Sequence, residues 1–430
     1  MSELYLGVGR EIITPEVGGN LYGYRPDVLS ICVADDLTAT AFYFRQDDTD
    51  ALMISVTVGS VQTELSSGIL AEIETRYQIP KDRIMLCATH THSAPNTTGT
   101  YGWGDVDRPY CDKIFIPGIL KAVDTAVHNV TAVRVGIGMG TSLAGINRRE
   151  LRTDNLIYLG QNPWGVFNPR MTVLSFQADD GHIVGNMIHY GAHCTAAGLN
   201  HEISRDWAGV MIDALDAQTG GITGFFNGPE GDVGPRLSNG QTVGNMDYVR
   251  EVGALAAQDA IRIFKQIPAF ESASLSVLSG TVLLSLKKRL PLEEATRIYE
   301  QYRDHTVNRE GAIKQHCLDV IESYHNGYQD VDNLPLSQTL IRIGSIVFAA
   351  FPYELFSEIG MRIDQAHDAH TVLSLSNTNG SMGYFVTEDQ LCRGGYEIDM
   401  FRYARLQPYR DDADHDLVIG TLENLSKLED

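Results

Sequence analysis

Short apolar runs rich in β-branched residues alternate with amphipathic segments along the chain, and this alternation most constrains its fold. The run ALMISVTV at residues 51–58 predicts a buried strand. Residues 64–77 follow it and predict a helix, whose apolar side chains share one face: Leu65, Ile69, Leu70 and Ile73. Strands that alternate with helices in this way predict an α/β fold.

The same pattern continues through the rest of the chain. Further strands are predicted at residues 83–89, 132–137, 172–176, 183–190, 222–226, 274–286 (as two runs) and 340–351 (with a glycine turn). Further helices are predicted at residues 110–128, 206–217, 248–264, 292–302 and 313–324. Because some predicted strands are neighbours in sequence and others are separated by helices, we expect a mixed β-sheet core flanked by helices. No repeat, low-complexity stretch or Pro/Ser linker interrupts the pattern, so residues 1–430 are predicted to form a single domain.

Composition excludes several classes of protein. The net charge of −22 argues against binding to nucleic acid or to an anionic membrane surface. The N-terminal MSELYLGVGR has neither the basic nor the apolar region of a secretory signal, and no apolar run approaches the ~18 residues of a membrane helix. The six cysteines are scattered without a CxxC pair, which predicts free thiols. Together these features predict a soluble cytoplasmic protein without integral membrane contact.

Two histidines stand one residue apart where the strand predicted at residues 83–89 ends, in the segment ATHTHSAPN. On a strand, residues i and i+2 face the same side, so His90 and His92 can present both imidazoles to one point. Thr91 and Ser93 are suited to support them with hydrogen bonds. The pattern has two interpretations, a metal site or a polar pair that only caps the core.

A second histidine cluster strengthens the metal interpretation. His193, in the segment IHYGAHCT, again follows an apolar strand. Asp206 lies shortly after it, before a predicted helix, and is suited either to cap that helix or to orient a ligand histidine. His189 and His201 are nearby and are weaker ligand candidates, whereas His182 in the segment DDGH is typical of a turn.

Two further segments place polar side chains after apolar strands. Glu354, in the segment SIVFAAFPYELF, follows a strand and a proline and is predicted to begin an amphipathic helix. An acidic residue there either complements the helix dipole or directs a carboxylate at a metal. Tyr384 and Tyr396 lie in a Gly- and Asn-rich loop after the strand TVLSLS, where functional residues are common.

Seven segments, in order along most of the chain, resemble one family. They are GVGREIITP followed by LYGY, ATHTHSAP, GINRR around Arg148, IHYGAHCT, NGPEGDVGP, FPYE, and NGSMGYFVT with its later YE. Apart from GINRR, these segments resemble, in order, GxGxxDITPP, THTHSGP, an HxT zinc segment, GDVSP, PGE and NxYxxYVTTPEEY…YEG of the neutral/alkaline non-lysosomal ceramidases. The chain is similar to the N-terminal catalytic domain of this family of zinc-dependent amidases, which cleave the N-acyl bond of ceramide.

The resemblance implies a zinc ion (Zn²⁺) and a set of site residues. The zinc ligands it implies are His90, His193, Glu354 and Tyr384. The catalytic groups it implies are His92, Arg148 and Tyr396. The implied chemistry is attack of metal-activated water on an amide carbonyl, with hydrogen-bond donors for the oxyanion and a proton relay through His92. Iron and manganese accept similar ligands, so the ligand set alone leaves the metal open.

The chain departs from the family pattern in two places. Gly234 stands where the family has the serine of GDVSP, which puts the family's substrate contacts in doubt, although Asp232 and Pro235 still match. The sequence also stops at Asp430, without room for the C-terminal β-sandwich of secreted ceramidases. We therefore expect an intracellular relative that hydrolyses a linear N-acyl amide, either ceramide-like or smaller, and we leave its oligomeric state open.

Three other interpretations can be compared with this one. A TIM-barrel amidohydrolase also uses an HxH motif, but on its first strand and with eight regular βα units, which fits the consecutive β-like runs poorly. The HxHxDH hydrolases are excluded because residues 93–95 supply no Asp-His pair. A non-catalytic relative that binds a lipid, an acyl ligand or a protein partner is favoured by Gly234. It is opposed by a metal-competent residue at every position that matches a zinc ligand.

Overall fold

Two β-sheets form the centre of the protein, which the structure, a computed structural model, describes over residues 2–429. The strands are β1 (Leu4–Ile12), β2 (Cys32–Val33), β3 (Thr38–Gln46), β4 (Thr49–Val56), β5 (Ile84–Ala88), β6 (Val130–Thr141), β7 (Gly145–Asn147), β8 (Arg149–Leu151), β9 (Ile157–Leu159), β10 (Arg170–Ala178), β11 (Ile183–Tyr190), β12 (Glu202–Ile203), β13 (Ile222–Asn227), β14 (Val233–Pro235), β15 (Leu275–Ser285), β16 (Asn333–Ile343), β17 (Ile346–Ala350), β18 (Glu354–Leu355), β19 (Thr371–Leu375) and β20 (Tyr384–Phe385).

Helices connect these strands and cover the sheets. They are α1 (Thr63–Tyr77), α2 (Arg108–Tyr110), α3 (Ile116–His128), α4 (Asp206–Thr219), α5 (Met246–Lys265), α6 (Leu292–Tyr302), α7 (Asn308–His325), α8 (Ser357–Gln365), α9 (Glu388–Leu391), α10 (Tyr396–Tyr403) and α11 (Ala413–Glu429). A π-helical segment, Cys111–Phe115, joins α2 to α3, so the helix predicted at residues 110–128 is continuous but not uniform.

The larger sheet has eight strands in the order β13-β11-β10-β6-β1-β3-β4-β5. The pairs β13/β11 and β4/β5 are parallel, and the other neighbours are antiparallel. The edge strand β13 approaches β4, the neighbour of the other edge strand, and the Ser55 hydroxyl of β4 donates to the Phe225 carbonyl of β13 at 2.7 Å. Within residues 2–429 the edge strands do not pair, so the sheet is not a closed barrel and the TIM-barrel alternative is wrong.

The smaller sheet has four strands in the order β15-β16-β17-β19, of which only β17/β19 is a parallel pair. One face of it packs against the larger sheet through a buried core that includes Phe42, Phe44, Ile341, Phe348 and Leu373. Helices α1, α3, α4 and α5 cover the outer face of the larger sheet, and α8, α10 and α11 cover that of the smaller one. The result is four layers, with the two sheets between helices.

Strand β3 shows how the sequence sets this layering. In TATAFYFRQ the side chains of Ala39, Ala41 and Tyr43 face the helices, while Phe42 and Phe44 face the smaller sheet. Alternate residues of a strand point to opposite faces, so a strand buried on both sides is apolar throughout. Such a run identifies a buried strand, but it does not say whether a helix or a second sheet covers each face.

The predicted α/β class, with a mixed sheet and flanking helices, is confirmed. The two runs predicted in residues 274–286 form the single strand β15, in which Gly280 leaves space for the side chain of Asn424 of α11. The glycine turn predicted in residues 340–351 is Gly344, between β16 and β17. Strands β1 and β3, helices α10 and α11 and most elements of two to four residues are absent from the sequence prediction.

The six cysteines all have free thiols, as their scattered spacing predicted. Among the helices of the described chain, none combines the length and the apolar character that a membrane crossing requires.

Candidate metal centre

The carboxyl ends of three parallel strand pairs carry the predicted site residues. His90 follows β5, which pairs with β4, and His193 follows β11, which pairs with β13. Glu354 follows β17, which pairs with β19 in the smaller sheet. Loops at the carboxyl ends of parallel strands are where α/β sheets place their sites. The two sheets therefore contribute to one centre.

Glu354 does not begin a helix, which corrects the sequence prediction. It lies in the two-residue strand β18, and helix α8 begins at Ser357. Strand β18 pairs in parallel with β20, and this register places Glu354 beside Tyr384. A β-bridge, and not a helix dipole, therefore orients this carboxylate.

Backbone carbonyls fix the orientation of two histidine rings. The Nδ1–H of His90 donates to the Gly59 carbonyl at 2.6 Å, and that of His193 donates to the Glu230 carbonyl at 2.8 Å. Because a carbonyl only accepts, each Nδ1 carries a hydrogen, so Nε2 is the nitrogen of each ring that is left to bind a metal. Ligand histidines in metalloproteins are held in this way.

The free ring nitrogens converge on the carboxylate of Glu354. Its Oε2 lies 3.4 Å from His90 Nε2 and 3.1 Å from His193 Nε2. The Nε2 atoms of His92 and His90 are 3.3 Å apart. Metal–ligand bonds of about 2.0–2.1 Å in a tetrahedron separate the ligand atoms by about 3.3 Å. These residues therefore fit a zinc-sized cation.

Burial and mutual attraction determine the charges at this centre. Burial alone would raise the pKa of Glu354, but His90 and His193 reverse the effect and hold it well below its ordinary value. Burial lowers the pKa of His193 to about 3. A carboxylate beside a neutral imidazole is the protonation state in which both groups bind a metal.

Arg148 links Tyr384 to a buried ion pair. Its Nη2 donates to the Tyr384 hydroxyl at 2.9 Å, and its Nε donates to the carboxylate of Glu397 at 2.9 Å. Arg149 donates to the other Glu397 oxygen at 2.7 Å, and Glu397 is fully buried. The adjacent arginines thus share one carboxylate, and Arg148 is held against the tyrosine that the sequence predicts as a ligand.

His92 lies beside the converging atoms with its ring held by aromatic contacts. The rings of Tyr22 and Tyr24 meet it edge-on at 5.5 and 5.4 Å. Gly23, between them, has a φ of 111°, and a Cβ there would lie 2.2 Å from His92 Nδ1. Burial, followed by the effect of His90, holds the pKa of His92 well below its ordinary value. His92 is therefore a neutral imidazole at neutral pH.

Two cavities meet at the centre and share five lining residues: Gly23, His92, Trp103, Tyr384 and Tyr396. The larger has a volume of about 560 Å³ and also contacts Arg148. The smaller has a volume of about 180 Å³ and reaches His90 and Glu354. Tyr396, the first residue of α10, has its ring 5.7 Å from that of Tyr384. A ligand at the centre has room to extend in two directions.

Glu230 is the residue that sequence reasoning missed. It lies in the loop between β13 and β14 and is fully buried. One of its carboxylate oxygens, a ring nitrogen of His90 and an oxygen of Glu354 all lie within 4.8 Å of one another. The available signal was a carboxylate in a Gly/Pro-containing loop, NGPEGD, directly after an apolar strand.

The remaining sequence candidates lie outside the centre. The carboxylate of Asp206 accepts from the backbone N–H of Ala196 at 3.0 Å and of Ala197 at 2.9 Å, and so fixes the loop after His193. Its Oδ1 also accepts from the backbone N–H of Trp207, in the first turn of α4, at 2.8 Å, although the N-cap position itself is Arg205. Among the described residues, Asp206 makes no hydrogen bond to a histidine ring. The other three histidines bond elsewhere: His189 to the Ser374 carbonyl, His201 to the Leu29 carbonyl, and His182 to Asp180.

Gly234 lies in β14, where a side chain would meet Thr242. A Cβ at position 234 would lie 2.7 Å from Thr242 Cβ, and Thr242 lines the larger cavity. The space that a serine would need is therefore filled from another loop.

Similarity to known proteins identifies the family of the chain. A family model described as neutral/alkaline non-lysosomal ceramidase, N-terminal, matches residues 4–250. The neutral ceramidase of Pseudomonas aeruginosa is 25% identical over 220 residues, covering 46% of this chain and 32% of that protein. The aligned region thus spans about a third of that relative's length, 32%.

Solved structures show the same fold. The crystal structure of neutral ceramidase from Pseudomonas aeruginosa has a TM-score of 0.76 and 19% identity, covering 100% of this chain and 75% of that chain. A structure described as ceramidase complexed with C2 has a TM-score of 0.74 and 18% identity, covering 100% and 76%. Because the family match at residues 4–250 covers more than half of the 430 residues, the chain belongs to the neutral/alkaline non-lysosomal ceramidase family.

Proposed function

We propose that this protein is a zinc-dependent hydrolase that cleaves a linear N-acyl amide, ceramide-like or smaller. The observation that carries the proposal is the convergence of His90 Nε2 and His193 Nε2 on Glu354 Oε2, at 3.4 and 3.1 Å. Membership of the ceramidase family supports the reaction class, because its relatives are hydrolases of amide bonds. Tyr384, aligned with Glu354 by the β18/β20 pairing, is the fourth proposed ligand.

Zinc, when bound to these residues, would supply Lewis-acid activation of water and of the amide carbonyl. His92 is the proposed proton carrier. Its imidazole is neutral because burial lowers its pKa, and it borders both cavities. It is therefore placed to take a proton from the attacking water and to deliver it to the leaving nitrogen.

Tyr396 and Arg148 are the proposed hydrogen-bond donors for the developing oxyanion. Both line the larger cavity next to His92. Burial raises the pKa of Tyr396, so its phenol keeps its proton. Burial opposes the charge on Arg148, but Tyr384 and Glu397 raise its pKa, so the guanidinium stays charged. A donor of this kind contributes roughly 3–4 kcal/mol to the transition state of comparable enzymes.

The two cavities suggest the shape of the substrate. A cavity of about 150 Å³ holds a molecule of the size of benzene. The smaller cavity, at about 180 Å³, accordingly fits a short limb of the amide. The larger cavity, at about 560 Å³, fits the longer limb. We therefore propose an amide with one short and one long side, which includes short-chain ceramide-like molecules.

Elemental analysis of the purified protein tests this proposal. We expect about one zinc per chain, lost in the His90→Ala/His193→Ala variant and retained in a His182→Ala/His201→Ala control, whose histidines are exposed. The zinc-loaded protein is then assayed with N-acyl amides in which each limb is lengthened in turn. No metal in the wild-type protein after incubation with zinc would exclude the mechanism.

Non-catalytic binding of an acyl ligand is the second candidate, and Gly234 favours it because the family's serine is replaced. The same experiment separates the two functions. Zinc binding without hydrolysis of any amide in the series, together with saturable binding of those amides, would select the binding function. A His92→Asn variant that keeps zinc and full turnover would remove His92 from the mechanism.

A further inference from the structure

Glu230 combines complete burial with an incomplete set of contacts. Its Oε1 accepts a hydrogen bond from Asn377 Nδ2 at 2.6 Å. Its Oε2 makes no hydrogen bond to any group in residues 2–429, although it is shielded from water. A buried carboxylate oxygen without a partner costs free energy unless a positive charge or a proton lies next to it. The structure therefore requires a proton or a cation next to this oxygen.

The carboxylate of Glu230 lies next to the metal centre. A carboxylate oxygen of Glu230, a ring nitrogen of His90 and an oxygen of Glu354 lie within 4.8 Å of one another. Glu230 makes no direct hydrogen bond to His90 or Glu354 among the described residues. Two carboxylates and an imidazole at such a spacing are arranged as ligands around a small cation, and two adjacent carboxylates repel each other without one.

The surrounding contacts hold Glu230 in this position. The Asn377 backbone N–H donates to the Tyr353 carbonyl at 3.0 Å, and the Asn377 carbonyl accepts from the Ala88 N–H at 3.1 Å. These bonds fix the residue whose side-chain amide donates to Oε1. The backbone carbonyl of Glu230 also accepts the Nδ1–H of His193. One residue thus orients a proposed ligand through its main chain and faces the same centre with its side chain.

We propose that Glu230 is a further ligand of the metal centre, binding the cation through Oε2 beside His90 and Glu354. This inference rests on the proposed metal-dependent function. Two carboxylates balance the charge of a divalent cation, and a second carboxylate shifts the donor set towards oxygen. Carboxylate-rich sites accept manganese more readily than sites made mainly of imidazole. We therefore expect the centre to bind Mn²⁺ as well as Zn²⁺.

Metal affinities of the full chain test this role. The dissociation constants for Zn²⁺ and Mn²⁺ are measured by chelator competition in wild type, Glu230→Gln and Asp232→Asn. Asp232 is a matched control, because it is a buried carboxylate of the same loop that binds Ser357 and Asn147 instead of the centre. We expect Glu230→Gln to weaken binding by about 100-fold and more for Mn²⁺ than for Zn²⁺, and Asp232→Asn to change it less than about 3-fold.

The absorption spectrum of the Co²⁺-substituted protein gives a second readout, and Glu230→Gln should change it while Asp232→Asn should not. Wild-type affinity and an unchanged spectrum in Glu230→Gln would overturn the proposal and leave the proposed function intact. A wild-type protein that binds no metal would overturn both. If Glu230→Gln does not fold, a crystal structure of the zinc-loaded wild type decides the matter. An Oε2–metal distance of about 2.0–2.2 Å supports the proposal, and one beyond about 3.5 Å overturns it.

Discussion

The first proposed ligand occupies an unusual backbone conformation. His90 has a φ of 68°, in the left-handed region that residues other than glycine seldom adopt. Its backbone N–H donates to the Val58 carbonyl at 3.0 Å and its Nδ1–H donates to the Gly59 carbonyl, so the same short segment fixes main chain and ring. Such conformations cost of order 1–3 kcal/mol and concentrate at functional sites. The backbone conformation that orients this imidazole therefore lowers the free energy of unfolding.

Position 234 offers a test of a single-residue departure from the family pattern. We expect Gly234→Ser to lower the free energy of unfolding by about 1–3 kcal/mol, because its Cβ would lie 2.7 Å from Thr242 Cβ. Adding Thr242→Ala should restore most of the loss. Urea denaturation of the two single variants and the double variant measures this coupling. Equal losses with and without Thr242→Ala would show that Thr242 is not the obstacle.

At the scale of elements, the packing of α3 on β1 depends on two glycines of the strand, Gly7 and Gly9, which have no side chain. A Cβ at Gly9 would lie 2.2 Å from the Ala122 carbonyl oxygen, and one at Gly7 would lie 1.8 Å from that of Ala126. These neighbours are helix backbone atoms, which cannot move aside alone. The strand and the helix are therefore closer together than any residue with a Cβ permits.

Gly9→Ala should consequently destabilise the protein by about 3 kcal/mol, since the helix or the strand has to shift. Gly68→Ala is the matched control: Gly68 lies on the exposed side of α1 with nothing within 4 Å of a Cβ. It should raise the stability by about 0.5–1 kcal/mol through helix propensity. Urea denaturation gives both values, and a neutral Gly9→Ala variant would contradict this account of the interface.

Helix α7 should make stability depend on pH through His316. Burial lowers the pKa of this histidine from 6.5 to about 4, so the folded protein binds its proton less readily than the unfolded chain. The stabilisation is complete above pH 6.5 and is lost as the pH falls towards 4. We expect the wild type to lose about 3 kcal/mol more than His316→Gln between pH 7 and pH 4.

Unfolding free energies at a series of pH values measure the effect. His128→Gln serves as the control, because the His128 side chain is exposed on α3. Parallel pH profiles for wild type and His316→Gln would rule out the role of His316.

For the whole molecule, the candidate centre lies where the two sheets meet. His90 and His193 follow strands of the larger sheet, whereas Glu354 and Tyr384 follow strands of the smaller one. A cation bound to all four would join the two sheets. Its binding energy would then add to the stability of the entire fold, because the unfolded chain lacks the assembled site.

Zinc should therefore stabilise the protein against urea by about 4 kcal/mol at a free concentration about 1,000 times its Kd. A chelator should remove this stabilisation. The His90→Ala/His193→Ala variant should show no zinc-dependent shift, and the His182→Ala/His201→Ala control should shift like the wild type. The same shift in all three proteins would show that zinc acts elsewhere.

The sequence by itself determined much of the strand and helix pattern, the fold class and most of the segments that carry site residues. Apolar period and turn chemistry are local properties, so residues 183–190 and 292–302 are predicted with their observed bounds. The order of the seven family-like segments likewise identified the family, because each segment can be recognised on its own. The positions of His90 and His193 after apolar strands already indicated a shared site.

Only the tertiary structure decided which polar residues meet. An apolar strand does not reveal what covers it, so the packing of two sheets and the four-layer arrangement could not be predicted from the sequence. Glu230 lies 140 residues from His90 in the chain, and no local pattern distinguishes it from a carboxylate in a solvated turn. Strand β18 pairs with β20, and Gly234 lies against Thr242. Both contacts join segments that are distant in sequence. Such contacts are set by packing, which single-sequence patterns do not encode.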